Sequence, residues 1–85
     1  MNKQLTFNYG MKDLEDVEAE IKGYRLGTSM PNTTITTEED QYGNVLVTLS
    51  GKYRYEFERF ALKFFFGDRA LAKTFVEDDT KNVGA

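Results

Sequence analysis

Eighty-five residues with eleven basic and fourteen acidic side chains give a net charge of −3, and the chain has no histidine, cysteine or tryptophan. Without His or Cys there is no imidazole base, no Ser-His or Cys-His nucleophile, no disulfide, and no zinc site built on nitrogen or sulfur ligands. Any catalysis would fall to carboxylates, Lys, Tyr or backbone groups, so the expectation is a protein that is not an enzyme and needs no cofactor and no metal.

A chain of this length buries only ~60–65% of the surface its unfolded form exposes, and association is a common remedy for so thin a core. One domain spanning residues 1–85 is expected. Met1 to Gly10 has no apolar leader pattern, and no apolar run approaches the ~20 residues of a membrane span. The expectation is a soluble, cytoplasmic protein.

Residues 3–9 alternate, with Leu5, Phe7 and Tyr9 against Gln4, Thr6 and Asn8. That period predicts a half-buried strand, ended by Gly10. Leu14, Val17, Ile21 and Tyr24 then recur at helical spacing and predict a helix over 11–23. Asp13 is placed to cap it, Glu15 and Asp16 suit its positive end, and Gly23 suits its C-terminal boundary. Residues 24–31, with Gly27 and the only proline, Pro31, read as a connector.

Residues 32–50 predict a hairpin. Its first arm, Thr33 to Glu38, is Thr-rich with Ile35 as its one strong apolar residue, which suits an exposed edge strand. Asp40-Gln41-Tyr42-Gly43 fits a turn closed by a left-handed glycine. Val45 to Leu49 is apolar on both faces at several positions and reads as a central strand.

Tyr53 to Phe66 holds seven of the twelve aromatic residues. Its first part fits a strand, with Tyr53, Tyr55 and Phe57 alternating against charge, but a helical stripe continues past Phe60-Ala61-Leu62 where the alternation fails. Wound as a helix, it turns Tyr53, Phe57, Phe60, Ala61 and Phe64 to the core and sets Lys52, Glu56, Arg59 and Lys63 in a polar stripe. Tyr55, Leu62, Phe65 and Phe66 are then a surplus apolar face. Gly67 ends this helix, and Asp68 can cap a shorter one to about Glu77, carrying Leu71, Phe75 and Val76. Residues 78–85 are expected to form a flexible tail.

The predicted fold class is α+β: a small three-stranded antiparallel sheet, β-α-β-β-α with order 1-3-2, and helices packed on one face. The terminal helix could fold back over the surplus aromatic face. If it does not, that face is a contact surface for another protein or a second copy of this chain, a homodimer.

Three acidic clusters, Asp13-Glu15-Asp16, Glu38-Glu39-Asp40 and Glu77-Asp78-Asp79, lack calcium-loop spacing and read as solvated surface. No Gly-rich phosphate loop appears. Residues 1–40 carry a surplus of four negative charges and residues 41–76 a surplus of three positive ones. The basic stretch offers an alternative role in weak nucleic-acid binding through Lys52, Arg54, Arg59 and Lys63, although an acidic protein is a poor polyanion ligand overall.

The main reading is a non-catalytic protein–protein interaction module, a small inhibitor or regulator. Contacts would come from Tyr55, Leu62, Phe65 and Phe66, from the acidic helix face at Glu15 and Glu18, or from strand addition beside Ile35. In size, acidity and lack of cysteine the chain is similar to phage-encoded inhibitors of host enzymes.

Overall fold

The period-two segment at the N-terminus forms strand β1, Asn2–Met11, with Leu5 and Phe7 buried and Gln4, Thr6 and Asn8 exposed. The computed structural model describes residues 2–27 and 30–83. Asp13 caps helix α1, Leu14–Gly27, its carboxylate accepting from the backbone N–H of Glu15 at 2.9 Å and of Asp16 at 3.3 Å. The helix does not stop at Gly23. A mid-helix glycine costs about 1 kcal/mol relative to alanine, but Tyr24 continues the apolar stripe and packs edge-on to Phe60 at 5.9 Å and Phe64 at 5.3 Å. Those contacts carry the helix four residues past the predicted boundary.

Strands β2, Thr33–Glu39, and β3, Asn44–Gly51, form the expected hairpin. The Asp40 carboxylate accepts from the N–H groups of Tyr42 and Asn44, and Gly43 sits at φ 84°. These hydrogen bonds hold the Asp40 carboxyl below the usual carboxylate range. Val45, Val47 and Leu49 are wholly buried. Ser50 belongs to β3.

Helix α2 runs Arg54–Ala61 and passes into a π-helical turn, Leu62–Phe66, ended by Gly67 at φ 68°. The backbone N–H of Gly67 reaches the Leu62 carbonyl at 3.1 Å, a bond spanning five residues. Asp68 caps helix α3, Arg69–Asp79, as predicted. Within the segment expected to be a flexible tail, residues 78–83 instead supply the end of α3 and a fourth strand, β4, Lys81–Val83, antiparallel to β1, while residues 84–85 lie outside the described residues. Three residues carrying a single apolar side chain give too short a pattern to read as a strand. β1 supplies the ladder that recruits them.

The fold is α+β with a four-stranded antiparallel sheet of order β2-β3-β1-β4. The expected arrangement of the first three strands is present within it, and the predicted three-stranded sheet is extended at the β1 edge. β1 and β3 pair from Lys3 opposite Gly51 to Asn8 opposite Leu46, with an irregularity before Met11 opposite Asn44. Val17, Ile21, Phe57, Phe60, Ala61, Ala72 and Val76 from the three helices cluster with the inward residues of β1 and β3 to form the core. At one end the chain is very tight. A Cβ on Gly51 would lie 2.2 Å from the Asn32 carbonyl oxygen, so only glycine lets the 30–33 segment cross there.

Candidate interaction surfaces

The aromatic stretch departs from the ideal helical wheel at both ends. Tyr53 is not on the core face. It is the residue before α2, with extended backbone (φ −116°, ψ 116°), and is 44% exposed. At the other end the π turn holds one residue more than an α turn, which sets the following side chains back by about 100°. Phe65 therefore swings inward, stacking on Phe7 at 4.3 Å with planes 8° apart, while Phe66 packs on Phe75 at 5.1 Å. Both are half-buried, so neither forms the open contact surface expected of them.

Glu56, expected in the polar stripe, is 1% exposed. One carboxyl oxygen accepts from the Thr33 hydroxyl at 2.9 Å. The other, and the Nε of nearby-in-sequence Arg54, are buried without a hydrogen-bond partner among the described residues. Thr33 shares the inward face of β2 with Ile35 and Thr37, beside the tight crossing of Gly51 and Asn32.

What survives of the surplus face is a groove between α2 and α3, lined by Tyr55, Glu58, Arg59, Leu62, Arg69 and Ala72. Tyr55 is 53% exposed, Leu62 is half-buried at the base, and Arg59 and Arg69 are exposed on the rim. The terminal helix does fold back, but it turns Ala72 and Val76 inward and leaves Leu71 57% exposed. Because Ala72 faces the groove, α3 narrows the surplus face without filling it. The groove volume, about 320 Å³, lies at the small end of small-molecule sites.

A second cleft lies between α1 and the outer strand β2, lined by Glu18, Ile21, Lys22, Arg25, Leu26, Ile35 and Thr37. It brings together two predicted contact residues, Glu18 and Ile35. Glu15 is exposed on the first turn of the same helix. A third cleft, lined by Tyr9, Glu20, Gly23, Tyr24, Gly27, Lys63 and Phe64, holds a hydrogen bond from the Tyr9 hydroxyl to Glu20 at 2.9 Å. Burial, then the bond to Glu20, pushes the Tyr9 phenol up to about 12.

The four residues of the nucleic-acid alternative point to different places. Arg59 lines the α2–α3 groove, Lys63 lines the cleft against α1, Lys52 is exposed before α2, and Arg54 has its Nε buried. Among the described residues no cluster of three acidic, Cys or His side chains could hold a metal, and no helix is long and apolar enough to cross a membrane. Comparison with protein-family models, curated proteins and solved structures finds no match to this chain.

Proposed function

We propose that this chain is a non-catalytic protein-interaction module, a small inhibitor or regulator, which takes a partner's side chain into the α2–α3 groove. The observation that carries this reading is the half-exposed Tyr55 beside Leu62, with Arg59 and Arg69 on the rim against the single Glu58. An amphipathic aromatic over an apolar base, ringed by arginines, has the composition of an interface centre. The rim is positive within an acidic protein, so the fitting partner is an apolar residue flanked by carboxylates.

The test is affinity capture from nuclease-treated lysate at moderate salt. Wild type is compared with Tyr55→Ala, with Arg59→Glu and with Gln41→Ala at the distant hairpin turn. A protein retained by wild type and Gln41→Ala, and lost with both groove variants, supports the reading. Equal recovery by all four overturns it. Capture that depends on intact nucleic acid replaces it with the nucleic-acid alternative.

A further inference from the structure

The free edge of β2 carries a charge and hydrogen-bond pattern that is complementary to itself. Among the described residues no strand pairs with that side of β2. Asp40 N–H donates to the Asn44 carbonyl at 2.9 Å, which fixes the alternation of the antiparallel ladder. Thr34, Thr36 and Glu38 direct their backbone groups toward β3. Thr33, Ile35, Thr37 and Glu39 direct theirs outward. Two bonds at Thr33 agree with this parity. Its N–H goes to the Met30 carbonyl, not into the sheet, and its carbonyl accepts from Arg25 Nη2 at 3.5 Å.

Arg25 thus stands at one end of the free edge, and Glu38 and Glu39 stand at the other, with both Arg25 and Glu39 exposed. Charge runs from positive to negative along the strand. An antiparallel copy reverses that order and a parallel copy does not.

We infer that two copies of this chain pair β2 to β2, antiparallel about Thr36, forming one continuous sheet across a two-fold axis. This register overlaps the whole strand. It sets Thr36 opposite Thr36, Ile35 opposite Thr37, and Thr33 opposite Glu39, with Glu38 meeting Thr34 rather than another acid. The outward-facing residues are the ones brought opposite each other, so about six main-chain hydrogen bonds form. Each copy's Glu39 carboxylate meets the other's Arg25 guanidinium, a charge-assisted contact at each end of the ladder. The two-fold is perpendicular to the sheet, so both α1 helices lie on the same face. Leu26, 82% exposed, and Ile35 are then covered by their counterparts. The outward backbone groups of Ile35, Thr37 and Glu39 have no partner strand among the described residues, a liability in a monomer that self-pairing removes.

The test is sedimentation velocity on the whole chain from micromolar to millimolar concentration. Wild type is expected to sediment as a dimer in reversible equilibrium with monomer. Arg25→Glu and Glu39→Arg should each weaken association by roughly tenfold or more, and the Arg25→Glu/Glu39→Arg double variant should restore it. Ile35→Pro removes an outward N–H that β3 does not use, so it should give a monomer with an unchanged circular dichroism spectrum. A wild type that stays monomeric at millimolar concentration overturns the inference. So does a dimer that ignores both charge reversals or survives Ile35→Pro. Tyr55→Ala, which disables the groove, should leave the dimer intact, so the two proposals fail separately.

Discussion

Thr33 and Glu56 show how one side chain can escape its sequence pattern. Glu56 falls among Lys52, Arg59 and Lys63 on a wheel, yet its carboxyl is buried on the Thr33 hydroxyl with one oxygen unpartnered. A buried acceptor that loses its donor costs about 1–3 kcal/mol, whereas replacing both partners with apolar groups of similar shape is nearly neutral. Thr33→Val should therefore lower stability by about that amount in urea unfolding, and adding Glu56→Met should recover most of it. A Thr33→Val protein as stable as wild type would show that the contact contributes nothing. Tyr9 is the other residue whose environment is measurable. Its phenol is pushed from 10 up to about 12 by burial and by the Glu20 carboxylate. The folded state keeps this proton where the unfolded chain releases it. The stability it contributes is complete below pH 10 and is lost as pH rises through about 12. Urea midpoints of wild type should fall over that interval more steeply than those of Tyr9→Phe.

At the scale of elements, the ends of the aromatic helix separate what a wheel can reveal from what it cannot. Phe57, Phe60 and Ala61 are wholly buried, as their spacing required. The π turn was invisible because nothing in Leu62-Lys63-Phe64-Phe65-Phe66 distinguishes a five-residue turn from an α turn. It coincides with the stacking of Phe65 on Phe7. Two substitutions rank the wheel against the structure. Phe65→Ala should cost about 2–4 kcal/mol and Tyr53→Ala under about 1 kcal/mol by chemical denaturation. The reverse order would restore the ideal helix. Elsewhere the local chemistry was decisive. Asp13 and Asp68 cap their helices, and the Asp40–Gly43 turn closes its hairpin. Helix α1 overran Gly23 because Tyr24 had tertiary partners that a one-dimensional pattern cannot supply.

For the whole molecule, the α+β class and the β1-β3-β2 core of the sheet were legible, since the most apolar strand must lie centrally and the Thr-rich arm tolerates an edge. β4 was not, because its pairing depends on β1 being in place. The geometry of the surplus apolar face was half legible. Tyr55 and Leu62 do line a groove, while Phe65 and Phe66 were drawn inward by a turn type that the residues do not announce. The proposed interactions rest on two exposed features, an arginine-rimmed groove and a self-complementary strand edge. The measurement that bears most directly on this account is quantitative affinity capture with wild type, Tyr55→Ala and Arg59→Glu from nuclease-treated lysate. If the α2–α3 groove takes a partner, a protein is retained by wild type and lost with both variants. A captured set that is identical for all three would contradict it.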